Sequence, residues 1–235
     1  MGLTPEESAA PSLDPLPRLG GEPIGWAAAS EEVEIRFLGR GAPERGAGEL
    51  ISPHVPRRLA CAWLRQIHSA TVIEAAEGDC GEGDALTTER AGLGLMVATA
   101  DCVPVLLAGG GRVAAVHAGW RGIVAGVVPA ALATFRAVRE VEVWIGPAIG
   151  PCCYEVGEEV AAAVVATSRS SAARPGRRGR PHLDLQEAVA AQLGAAGVTR
   201  QVRLARCTAC HPGELHSHRR DGARAGRNLA LIWRR

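Results

Sequence analysis

The segment RVAAVHAGWRGIVAG, residues 112–126, constrains the fold of this chain more than any other. An apolar run without strict alternation reads as a strand buried on both faces, and it delivers His117 at its C-terminal end. Gly119 and Gly122 then bracket Arg121 in a turn, and an apolar stretch of helical composition follows. A side chain at such a strand end faces the open edge of a sheet. The helix start that follows supplies unpaired backbone N–H groups, which favour anions such as phosphate. The chain must therefore build a buried sheet covered by helices, with a site at the sheet edge.

Short β-type runs recur around this segment, predicted at 33–38, 60–67, 71–75, 94–98, 103–107, 112–117, 141–145 and 201–205. Helical patterns are fewer, at 122–139, 155–167 and 185–196. The last has a readable start, because Asp184 can accept a bond from the first-turn amides and Glu187 sits three residues on. The order is not a steady βαβ alternation, which argues against a doubly wound fold. The expectation is an α+β, mixed α/β, layered sandwich of mixed sheets flanked by helices. Residues 1–32, rich in proline, glycine and acids, read as a loosely docked arm ahead of a single domain over 33–235. Residues 169–181, RSSAARPGRRGRP, carry five arginines and several helix breakers and read as an exposed loop.

Composition enters as a filter on function. The formal net charge is +1, which gives no reason to expect nucleic acid or an anionic membrane as partner. All 26 basic side chains are arginine, so catalysis through a lysine Schiff base is excluded. The opening MGLTPEESAAPSLDPLP has acids and prolines where a secretory signal needs basic residues and an apolar core, and the apolar stretch 122–135 contains Pro129 and is too short to cross a bilayer. A cytoplasmic chain is expected, in which the seven cysteines are thiols or metal ligands.

Two further segments carry chemistry. In LMVATADCVPVLLA, Asp101 and Cys102 interrupt an apolar strand pair, and burying an acid beside a thiol is costly unless something pairs with them. In LRQIHSATV, Gln66 and His68 lie between two strands. His68, Cys102 and His117 thus all sit at strand ends. Ligands of types N, S and N suit zinc with a fourth position left for water or substrate. Spacing alone leaves two other readings open. The histidines could be hydrogen-bonded structural residues with Cys102 a small buried hydrophobe, or Cys102 and His117 could form a metal-free nucleophile pair. CTACH, residues 207–211, is half of a zinc knuckle with no second CxxC to complete it, and adjacent Cys152 and Cys153 cannot point the same way along an extended strand.

Taken in order, RQIHS, GDALTT, ADCVPVLL, AAVHAGWRG, IGPAIGPCCYEVG, HLDL, CT and HRRDGARAGR resemble the laccase-domain, YfiH-like family over about residues 64–227. The resemblance implies a zinc site of His68, Cys102 and His117, with copper the lesser alternative. It implies purine nucleoside phosphorolysis with phosphate as co-substrate, together with adenosine deaminase and methylthioadenosine phosphorylase activity. A hydrolase editing cytoplasmic peptidoglycan precursors and a copper-dependent phenol oxidase are the alternatives. Multicopper oxidases need many histidines in paired HxH motifs, and this chain has seven histidines with one HxH, at His216 and His218. Asp101 and Arg121 are the further candidate catalytic residues, and Arg40, Gln66, Asp84, Arg121 and Gly122 the candidate substrate contacts. Arg65, Arg219 and Arg220 are weaker pocket candidates. The family's TRxGGxS segment is reduced here to FLGRGAPERG, which keeps Arg40.

Overall fold

The computed structural model describes residues 13–17, 23–30, 32–40, 55–56, 59–176 and 179–235. Among the described residues fifteen strands form in chain order: β1 (Asp14–Pro17), β2 (Pro23–Ala29), β3 (Val33–Leu38), β4 (Ala60–Arg65), β5 (Val72–Glu74), β6 (Gly78–Glu82), β7 (Ala85–Thr88), β8 (Leu93–Thr99), β9 (Val103–Gly109), β10 (Arg112–Ala118), β11 (Glu142–Ile145), β12 (Ala173–Arg174), β13 (His182–Leu183), β14 (Arg200–Arg203) and β15 (Asn228–Arg234). The helices are α1 (Trp120–Ala125), α2 (Val127–Leu132), α3 (Glu158–Ser168), α4 (Leu185–Ala195) and α5 (His218–Asp221).

Two large mixed sheets result, ordered β1-β2-β3-β15-β8-β4-β6 and β14-β11-β9-β10-β7-β5, with β12 and β13 as a separate pair. The sheets face each other through Ile35, Phe37, Leu95, Val97, Leu106, Val113 and Ile232. The opposite face of the second sheet, with Val105, Leu107, Val116 and Val143, packs on Ile123, Val127, Leu132, Val164 and Val189 of the helices. Because β9 and β10 are covered on both faces, their sequences run apolar without alternation. The outer face of the first sheet carries a smaller cluster of Leu38, Met96, Leu231 and Trp233. This is the layered mixed α/β arrangement expected.

Several elements differ from expectation for identifiable reasons. Strand pairing begins at Asp14, upstream of Val33: β1 pairs with β2 and β2 with β3. The expected arm thus contributes two strands and buries Trp26, while residues 1–12, 18–22 and 31 lie outside the described residues. Gly25 explains why so irregular a stretch can pair, since a Cβ there would lie 2.1 Å from the Phe37 carbonyl oxygen. The helix expected over 122–139 starts at Trp120, breaks at Gly126 in the left-handed region (φ 87°) and ends at Leu132. Gly126 both caps α1 and opens α2, and Pro129 falls in the first turn of α2, where its missing N–H is not needed. Within 169–181 the short β12 pairs with β13, and Arg177 and Arg178 lie outside the described residues.

Candidate metal centre

Register places the three candidate ligands. The β9–β10 ladder closes on Ala118↔Val103 with His117 opposite Pro104, so Cys102 and Gly119 leave the sheet side by side just beyond His117. His68 comes from the turn after β4, with its backbone in the left-handed region at φ 61°. Asp84 precedes β7, whose Ala85 pairs with both Val116 and Val72, so this carboxylate sits at the same sheet end.

The potential ligand atoms of His68, Cys102 and His117 all lie within 4.8 Å of one another. Cys102 Sγ is 3.9 Å from His68 Nε2, and the two imidazoles meet edge to face with centroids 4.9 Å apart. Asp84 organises both histidines. Its fully buried carboxylate receives the N–H groups of Ile67 (3.3 Å), His68 (3.0 Å) and Ser69 (2.5 Å) and the Ser69 hydroxyl (2.8 Å), which fixes the turn carrying His68. It also binds His117 Nδ1 at 2.8 Å, leaving Nε2 of that ring to face the site. A carboxylate behind a ligating imidazole is the usual way a metal-binding histidine is oriented.

Charge follows from these contacts. Burial alone would raise the Asp84 carboxyl, but hydrogen bonds from His117 and Ser69 outweigh it and hold it at about 2. Burial likewise penalises the Cys102 thiolate, yet its bonds to His117 and His68 bring the thiol down to about 6. Burial disfavours the His117 cation, while Asp84 and Cys102 raise it to about 9. These shifts favour a thiolate at Cys102 facing an imidazolium at His117, a charge pair in which a metal ion would take the place of the imidazolium proton.

The donor set fits zinc. Tetrahedral coordination with Zn–S of about 2.3 Å and Zn–N of about 2.1 Å requires S···N separations of roughly 3.6 Å, close to the Cys102–His68 spacing. Gly119 lets the His68 ring and the Cys102 sulfur approach closely, since a Cβ there would lie 2.8 Å from His68 Cδ2 and 3.0 Å from Cys102 Sγ.

The three residues open onto a cavity of about 1000 Å³. Of the expected residues, Arg65, Gln66, Asp101 and Arg121 line it. Gln66 clamps the Ala98 backbone, accepting from its N–H (2.8 Å) and donating to its carbonyl (2.7 Å). Asp101, in the left-handed region at φ 93°, accepts from the Thr208 hydroxyl (2.5 Å) and the Arg219 N–H (2.7 Å), so both its oxygens tie down the 208–219 segment. Arg121 is exposed, with its guanidinium 4.5 Å from the Trp120 ring centroid. Three of the expected substrate contacts stand apart from the cavity lining. Asp84 is fully buried with its oxygens occupied, so it positions His68 and His117 instead of touching substrate. Gly122 is buried against the Ser69 carbonyl. Arg40 stands outside the cavity lining, paired with Asp221 at 3.1 Å.

Sequence reasoning missed Tyr154, His216, His218 and Arg227, which also line the cavity. Arg219 does line it, donating to the carbonyls of Cys153 and Glu155 with its guanidinium over the Tyr154 ring. Arg220 turns away to the carbonyls of Thr208, Ala209 and Leu215. The signal for Tyr154, His218 and Arg227 was in the motifs CCYEVG and HRRDGARAGR, whose segments border the cavity.

Over residues 51–235 the sequence matches the family described as multi-copper polyphenol oxidoreductase laccase. It is 40% identical over 184 residues to a Pseudomonas aeruginosa protein named purine nucleoside phosphorylase, covering 75% of this chain and 76% of that one. It is 41% identical over 184 residues to a Streptomyces coelicolor protein of the same name, covering 73% and 74%. Among solved structures, YlmD from Geobacillus stearothermophilus superposes with a TM-score of 0.79 at 28% identity, over 95% of this chain and 100% of that chain. A Neisseria meningitidis protein superposes at 0.78 and 31% identity, over 90% and 99%.

Proposed function

Because this chain belongs to the laccase-like, YfiH-type family, whose curated relatives carry the name purine nucleoside phosphorylase, we propose that it is a zinc-dependent purine nucleoside phosphorylase. The observation that carries the reading is the convergence of His68, Cys102 and His117 on one large cavity with arginines on its wall. Those three side chains would hold the ion, leaving a fourth position open. A bound zinc supplies Lewis-acid charge to an anionic oxygen in the cavity.

The protein's own groups account for the rest. Asp84 fixes the tautomer and direction of His117 and, through the 67–69 backbone, the place of His68. Arg121 and Arg219 present fixed positive charge to phosphate, which must be desolvated and aimed at the ribose C1′. Asp101 holds the segment that carries Arg219, so it acts as a positioning residue. The ring of Tyr154 offers an aromatic surface for a purine. Adenosine deamination is proposed at the same centre, with water in place of phosphate. Seven free thiols suit a reducing compartment, and the proposed site of action is the cytoplasm; no helix among the described residues is long and apolar enough to cross a membrane.

Incubating the purified zinc protein with inosine or adenosine, with and without phosphate, tests the reading. Free base and ribose 1-phosphate should form only when phosphate is present, and inosine formed from adenosine reads the deaminase step. Activity confined to peptidoglycan precursors, or oxygen uptake with phenols, would overturn it.

A further inference from the structure

Outside the cavity, four cysteines gather on one patch of surface. Cys152 and Cys153 lie in the turn 151–153, and Cys207 and Cys210 in the turn that follows β14. Their sulfur atoms are all within 4.8 Å of one another. Adjacent cysteines cannot share a direction on an extended strand, but these two sit in a tight turn closed by Cys153 and Tyr154 N–H groups on the Gly150 carbonyl, at 3.0 Å each. Both sulfurs therefore reach the same neighbour: Cys210 Sγ is 3.5 Å from Cys152 Sγ and 3.3 Å from Cys153 Sγ. One sulfur approached by two others suits a shared centre, whereas a single disulfide would select one pair. In a tetrahedral zinc tetrathiolate the sulfurs stand roughly 3.8 Å apart.

The surroundings are those of a metal knuckle. The Gly150 N–H donates to Cys207 Sγ at 3.2 Å. Space here is tight, since a Cβ on Gly150 would lie 3.3 Å from Cys152 Sγ and 3.5 Å from Cys207 Sγ. The guanidinium of Arg220 reaches the Thr208 carbonyl at 2.8 Å and the Ala209 carbonyl at 3.3 Å, placing positive charge behind the turn.

We propose that Cys152, Cys153, Cys207 and Cys210 form a second metal site, a structural zinc tetrathiolate that clasps the 150–155 loop to the 207–221 segment. Binding one Zn²⁺ releases the remaining thiol protons to solvent and leaves a dianionic cluster, whose charge Arg220 partly offsets. The clasp bears on the cavity, because the first loop carries Tyr154 and the second carries Arg219. Thr208, next to Cys207, anchors Asp101. The site stands whether or not the reaction in the cavity is phosphorolysis.

Metal analysis of the full-length protein purified under reducing conditions tests this. Two zinc ions per chain are expected, falling to one in Cys102→Ala and to one in Cys210→Ser. Because Cys210→Ser could fail to fold, cobalt substitution of the otherwise unaltered protein and of Cys102→Ala provides a second readout. Both should show the intense visible bands of tetrahedral cobalt with four thiolates, which a site with one thiolate cannot give. All four cysteines should resist alkylation until a chelator is added. A single zinc per chain that disappears in Cys102→Ala, iron in place of zinc, or a disulfide-linked peptide joining the two turns would each overturn the proposal.

Discussion

Asp84→Asn tests how the centre is held together. Five donors converge on this fully buried carboxylate: three backbone N–H groups, the Ser69 hydroxyl and His117 Nδ1. Asparagine keeps the shape but removes the charge, and turns an NH₂ toward a site that supplies only donors. The gap between an ordinary aspartate near 3.8 and the folded value of about 2 corresponds to roughly 2–3 kcal/mol of stability. At roughly 2–4 °C per kcal/mol for a chain of this size, Asp84→Asn should melt about 5–10 °C lower at neutral pH. The carboxyl is depressed in the folded protein, so its contribution is present above the unfolded value and is lost as pH falls from about 4 through about 2. The difference between wild type and variant should close over that window. Zinc competition with a chelator should show binding weaker by about 10- to 100-fold, as expected when the partner of a ligating histidine is lost. Thermal unfolding followed by circular dichroism, with the competition titration beside it, measures both. A variant that melts with the wild type and binds zinc equally well would refute the reasoning.

Gly119→Ala places a methyl 2.8 Å from the His68 ring and 3.0 Å from Cys102 Sγ. Bound zinc measured by mass spectrometry should fall well below one ion at the cavity site, with a loss of turnover of about 100-fold or more, while the melting temperature stays within a few degrees because the methyl meets the site and not the core. In metal-free protein, alkylation of Cys102 followed by peptide mass spectrometry should rise through about pH 6, since the thiolate is favoured above that value. A midpoint near that of an ordinary thiol would contradict the thiolate–imidazolium pairing. Arg219→Ala should raise KM for phosphate more than it lowers kcat, by about tenfold, in steady-state assays with inosine. An unchanged phosphate KM would remove this side chain from the anion site.

The strand-end pattern made His68, Cys102 and His117 legible as a candidate group, and the family resemblance, not their spacing, pointed that group to a metal. RVAAVHAG breaks its apolar run at His117 and ATADCVPV breaks its own at Asp101 and Cys102, and the structure aligns those breaks across the β9–β10 ladder. Asp184 likewise caps α4 by accepting from the Glu187 N–H, as its spacing predicted. The rest was hidden for physical reasons. β15, which sits between β3 and β8, reads simply as an apolar tail, since nothing local shows that NLALIWR fills a gap in a sheet begun far upstream. β7 is buried at every position, so it lacks the alternation by which a strand is recognised. Tyr154 and His216 arrive on loops, and His218 at the start of the short α5, and their paths depend on tertiary contacts such as Thr208 with Asp101. The four-cysteine cluster escaped for a similar reason, because its two halves meet only when two turns pack together.

The measurement that bears most directly on the central claim is anomalous scattering from crystals of the purified protein, collected on both sides of the zinc absorption edge. The account predicts a peak bonded jointly to His68 Nε2, His117 Nε2 and Cys102 Sγ, with a fourth position facing the cavity. A zinc-loaded crystal with no anomalous peak among those three atoms would contradict it.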